Sequence, residues 1–168
     1  MYIKSKNQIA FEGPNRSILM LNSILFKKAV ISLMLARIFY TVNWFNIPSI
    51  FIFIAVDFDK DISVLGLITA SFFIGVGLFQ VLAGILAAKY SARKIAILGI
   101  AIASTAVFFS AFSIDLLSIA VLRFIVGIGM AFFFGPSVIL ISGYLGKQSE
   151  GLGMGLLNSA HAIGGIIG

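Results

Sequence analysis

Apolar residues in this chain run in blocks of 18 or more with few charges, too long for a strand and longer than most helices of a soluble core. A segment of that length bridges the hydrocarbon of a bilayer, about 30 Å thick, when wound at about 1.5 Å per residue. The composition closes off the soluble alternative. Only 11% of residues are charged against 60% hydrophobic, and a soluble surface needs about a quarter charged. The chain therefore reads as an all-α polytopic membrane protein.

Five apolar segments follow a basic tail at 1–28. Expected helices cover about 29–56, 64–88, 95–112, 116–144 and 152–168, the last still apolar where the sequence stops. The fourth is long enough to bend or protrude, and Gly135-Pro136 is the expected place. The tail lacks a clean signal-peptide core, because Asn22 and Ser23 interrupt its apolar run before Lys27-Lys28. It is either plain polar chain or a short interfacial helix.

The net charge of +6 does not imply nucleic acid, because the cations flank apolar blocks instead of forming one basic face. Lys4, Lys6, Arg16, Lys27, Lys28, Lys89, Arg93, Lys94 and Lys147 fall in the tail and on alternate connections; the other connections hold only Lys60. Nine cations against one place the amino terminus and residues 84–94 in the cytoplasm, and the cell membrane is the expected location.

Enzyme chemistry finds little support. There is one histidine, no cysteine and no carboxylate well inside a span. No phosphate-cradling GxxxxGK[ST] loop occurs, so ATP-driven transport is not expected. No cofactor or metal is expected.

Residues 84–94, "GILAAKYSARK", carry a more specific pattern. Gly84, Ala88, Lys89, Ser91, Arg93 and Lys94 resemble the cytoplasmic signature between the second and third helices of the major facilitator superfamily. Gly84, Lys89, Arg93 and Lys94 match, while Ala88 stands where the family has an acid and Ser91 where it has a second glycine. "LRFIVGIG" resembles the family's fourth-helix motif through Arg123, Gly127 and Gly129, with Val126 in place of its glutamine. The turn at 146–151 and the glycine-rich segment after it resemble the approach to the fifth helix.

The resemblance implies a partial major-facilitator-type half: four full transmembrane helices plus a truncated fifth, lacking the sixth helix and the second half. Transport of a small solute, secondary active or facilitative, is the implied activity. The alternative is a split or truncated module that works only with a missing carboxy-terminal half or partner chain. The missing acid at Ala88 implies a weaker cytoplasmic latch.

Side chains that could line a substrate cavity stand out against this apolar background. Arg37 lies inside the first span, and Tyr40, Thr41 and Trp44 share its face at 100° per residue. It either faces a wet cavity or snorkels to the headgroups. Arg123 lies deep in the fourth span, where snorkelling is harder, and serves substrate or helix contacts. Asn158 and His161 are three residues apart in the fifth segment, as packers or as a polar patch that could move protons. Two intramembrane arginines without a carboxylate favour an anionic or zwitterionic solute.

The charge count predicts the sidedness directly. In intact cells a membrane-impermeant thiol reagent should label Ser63→Cys and spare Ser91→Cys, and the opposite pattern would invert the topology.

Overall fold

The computed structural model describes residues 16–59, 61–145 and 150–168. The remainder of the expected tail, and Lys147 in the expected polar turn, lie outside the described residues. Six helices run in order: α1 Arg16–Ser49, α2 Phe51–Asp57, α3 Ile62–Lys89, α4 Ala92–Ser110, α5 Leu116–Leu145 and α6 Glu150–Ile167. No strand occurs among the described residues. Four stretches are long and apolar enough to cross a membrane, Lys28–Ser49, Gly66–Lys89, Ala92–Ser110 and Leu116–Leu145. The outside of the bundle is correspondingly greasy, with Phe39, Leu78, Val81, Phe108 and Leu117 exposed.

The first expected span differs in its detail. Helix α1 starts at Arg16, inside the expected tail, and passes without a break through Lys27-Lys28. It stops at Ser49, and the short α2 carries on from Phe51. Pro48 accounts for the stop: it has no N–H to return to the preceding turn, and its ring crowds the carbonyl behind it. The chain turns through Ile50, at φ −110° and ψ 12°, whose N–H donates to the Ile47 carbonyl instead (3.0 Å). At Pro136 α5 runs on uninterrupted. Pro136 is buried there, and the Ser137 hydroxyl donates to the Phe134 carbonyl at 2.6 Å.

Packing is organised around α5. More than half of its apolar window is buried, 56%, against 28% for each other span. Helices α3 and α4 flank it, and α1 and α6 pair with each other across a third side. Glycines set how closely these helices approach. A Cβ on Gly127 would collide with the Phe72 carbonyl of α3, and one on Gly75 with the Phe124 carbonyl of α5. On the opposite side a Cβ on Gly129 would lie 2.6 Å from the Gly99 carbonyl oxygen of α4. Residues 127 and 129 are about 200° apart on the helix, which is why one motif serves two neighbours.

Other glycines separate by the same criterion. Gly164 of α6 sits against the Ile38 carbonyl of α1, whereas Gly84, Gly151 and Gly155 face open space. Hydroxyls and amides inside the spans mostly return to the preceding turn. Asn43, Ser71, Thr105 and Ser159 each donate to the carbonyl four residues back, which satisfies them without water.

The connections are short. Between α3 and α4 only Tyr90 and Ser91 intervene, and Lys89 rests its ammonium 5.5 Å from the Tyr90 ring centre. Lys89, Arg93 and Lys94 are exposed. The first turn of α4 holds two of these cations and no acid, against the preference of a helix N-terminus. Helix α5 begins more favourably. The Ser118 N–H donates to the Asp115 carboxylate at 2.7 Å, and the Ser118 hydroxyl donates to the Asp115 carbonyl at 2.7 Å. Hydrogen bonds from the Ser118 side chain and backbone hold the Asp115 carboxyl below its ordinary pKa.

Candidate functional site

Helix α1 presents one polar and aromatic face, and the bundle turns that face inward. Arg37 and Tyr40 are each 5% exposed and Thr41 is fully buried. The aromatic contacts run along α1 and outward to its neighbours. Tyr40 stacks obliquely on Phe133 of α5, 5.3 Å between centres. Trp44 takes Phe72 and Phe73 of α3 edge-on at 5.2 and 5.5 Å. It meets the His161 ring of α6 at 6.5 Å.

Arg37 does not snorkel. Its guanidinium lies over the Tyr40 ring at 4.6 Å and over the Phe134 ring at 4.8 Å. Such placement stabilises a desolvated cation through the ring quadrupoles. It does not satisfy the hydrogen-bonding edge. Arg37 Nε and Nη1, together with Trp44 Nε1, are buried donors with no protein acceptor. Unmet donors of this kind in a low-dielectric interior are costly and call for an acceptor.

Arg123 solves the same problem differently. Its Nη2 donates to the Asn46 side-chain oxygen at 3.0 Å and its Nη1 to the Asn43 carbonyl at 3.3 Å, both on α1. Only Nε lacks a partner. Arg123 therefore links α5 to α1 through neutral oxygens, and its charge stays uncompensated. The motif's three residues each meet a different helix: Arg123 meets α1, Gly127 meets α3 and Gly129 meets α4.

Thr41 connects α1 to α6. Its Oγ1 donates to the Arg37 carbonyl at 3.0 Å and lies 2.7 Å from His161 Nδ1. A hydroxyl has one hydrogen, so it donates to only one of the two and accepts in the other contact. With that hydrogen on the Arg37 carbonyl, His161 donates from Nδ1 and keeps Nε2 as an acceptor. Asn158 does not join this cluster: it is exposed, one turn before His161. The structure thus brings together Arg37, Tyr40, Thr41, Trp44 and His161, places Arg123 on α1's amides, and leaves Asn158 apart.

Asn46 was not singled out from the sequence, although a polar side chain in an apolar span usually faces protein; Asn43 contributes only its backbone carbonyl, which no side-chain pattern announces. Beside the cluster, a cavity of about 340 Å³ opens between α1, α4 and α5, with Asn43, Tyr40, Ser104 and Met130 in its wall. No group of metal-ligating side chains occurs among the described residues.

A bundle of apolar helices, four of them long enough to cross a membrane, joined by short connections, defines a polytopic membrane protein. The Major Facilitator Superfamily model matches residues 33–168, and the chain belongs to that family, whose members move small solutes across membranes. No curated protein and no solved structure matches it significantly.

The Thr41–His161 contact is testable by a double-mutant cycle with Thr41→Val and His161→Phe. Interhelical hydrogen bonds in membranes couple by about 0.6 kcal/mol and reach about 1.7. Unfolding measured in detergent should return a coupling in that range, and strict additivity would show that the contact carries no energy.

Proposed function

We propose that this chain forms the amino-terminal part of a secondary active or facilitative carrier for a small anionic or zwitterionic solute. The observation that carries the reading is Arg37: a buried guanidinium with two unpartnered donors and no carboxylate inside any span. An anionic group on the solute would accept from Nε and Nη1 and neutralise a charge that the protein leaves bare. Tyr40 and Phe134 each place a ring against the guanidinium, and Nε and Nη1 are left for recognition. Trp44 offers a third donor, and its ring would meet the apolar part of the solute.

His161 and Thr41 serve as the joint through which α6 follows α1. Arg123 acts on the same helix from α5 and tethers α1 near Asn43 and Asn46. In this reading Arg37 recognises and Arg123 positions. Carboxylate-based proton coupling is not expected from these residues, because Asp57 and Asp115 lie at helix ends. The charge count supports a cytoplasmic amino terminus, and the reading places the carrier in the cell membrane.

The test compares uptake into liposomes by the full-length carrier bearing Arg37→Gln or Arg37→Lys. Loss of a hydrogen-bonded charge pair is worth about tenfold or more in affinity. Arg37→Gln should weaken uptake of anions by that factor, leave neutral solutes unchanged, and be partly rescued by Arg37→Lys. Equal loss for anions and neutral solutes, or no loss, would reduce Arg37 to a packing role.

A further inference from the structure

Arg123 keeps one nitrogen without a partner. The residue is 4% exposed, and its Nε is a buried donor that no protein acceptor meets. Beside it, enclosed by α1, α3 and α5, lies a cavity of about 20 Å³. Arg123 walls it together with Asn43, Trp44 and Pro48 of α1 and Thr69 and Phe72 of α3.

Two further groups at this cavity lack their usual partner. Ser71, Thr105, Ser110 and Ser159 each donate to the carbonyl four residues back. Thr69 departs from that pattern: its hydroxyl is buried and bonds to no protein atom. On α1, Pro48 has no N–H to give the Trp44 carbonyl four residues before it. A carbonyl freed by proline inside a membrane is re-satisfied by a side chain, a neighbouring helix or an ordered water. Helices α1, α3 and α5 alone shut Arg123 Nε and Thr69 Oγ1 away from the surface. A segment packed on the outside of the bundle could not supply their partners.

We propose that this cavity is the site of one bound water, which accepts from Arg123 Nε, shares a hydrogen bond with Thr69 Oγ1 and donates to the Trp44 carbonyl. One water needs about 10–15 Å³ of such space, and 20 Å³ admits no organic solute. The site is therefore separate from Arg37 and does not depend on which solute is carried. The mixture of donors and a carbonyl selects water over a halide, because the occupant must donate as well as accept. Three hydrogen bonds are the usual complement of a buried water. Arg123 already holds α1 through its two Nη atoms. Through the water it also holds α3, at the level where α1 stops. Thr69 is in this sense a positioning residue that acts on Arg123.

The test places the full chain, labelled with nitrogen-15 at arginine Nε, in lipid nanodiscs and records rotating-frame NMR cross-peaks to water. Arg123→Lys assigns the Arg123 signal by its disappearance. The Arg123 Nε–H should show a cross-peak of the sign that marks a water held close, opposite to the sign of exchange with solvent. Thr69→Val keeps the side-chain shape and removes the hydroxyl, and should abolish the cross-peak; Thr69→Ser should keep it. Absence of the cross-peak in the unsubstituted chain, or its full survival in Thr69→Val, would overturn the proposal. The unsubstituted chain decides the matter even where a variant fails to fold. A second measurement separates water from an anion. In Arg37→Gln, which removes the other bare guanidinium, the thermal midpoint should be the same in chloride as in gluconate. A higher midpoint in chloride would assign the cavity to a halide and overturn the proposal equally.

Discussion

The arrangement depends on the contact of helix backbones across α5. In lipid, apolar side chains gain nothing by leaving the solvent for one another, so helices associate through close packing. Gly127 and Gly75 let α5 and α3 approach until each glycine touches a carbonyl of the other helix. Gly129 and Gly99 do the same for α5 and α4. These contacts use two sides of α5 and leave its third side for α1. That third side carries Arg123, Phe133 and Phe134, and it decides what the polar face of α1 will meet.

The consequence is an interior with cations and no anions. Arg123 is tethered to amide oxygens on α1, and Arg37 is held between aromatic rings with its hydrogen-bonding edge unused. Buried charge of one sign is expensive unless something neutralises it. The two arginines differ in what they have left to offer. Arg123 has spent two of its nitrogens on positioning, whereas Arg37 keeps two donors. In the proposed reading, function follows from charges that the protein itself leaves unpaired.

Much of this was legible in the sequence because a bilayer imposes simple rules. Apolar length exposed the spans, and the 100° periodicity placed Arg37 with Tyr40, Thr41 and Trp44. Pro48 moved the end of α1 from the expected region of Val56 to Ser49, since an apolar run shows where a membrane is and not where a helix breaks. The glycines of the fourth-helix motif were visible, but their separate neighbours were not, because that requires knowing which helices flank α5. The two oxygens that hold Arg123, the Asn43 carbonyl and the Asn46 side chain, were hidden for a related reason: their meeting depends on the register of α1 against α5. Asn158 shows the opposite limit, since spacing from His161 suggested a shared patch and the structure leaves it exposed.

The central claim is that glycine-limited backbone contact at α5 sets the bundle, and Gly127→Ala tests it most directly against Gly77→Ala, a helical glycine in open space. Thermal unfolding in detergent would be followed through Trp44, the single tryptophan, which packs edge-on against Phe72 beside the Gly127 contact. Gly127→Ala should destabilise by about 1–3 kcal/mol, the cost of overpacking a tight contact. Gly77→Ala should be neutral or stabilise by about 0.5–1 kcal/mol, since alanine is the better helix former. Equal effects of the two substitutions, or a harmless Gly127→Ala, would contradict the account.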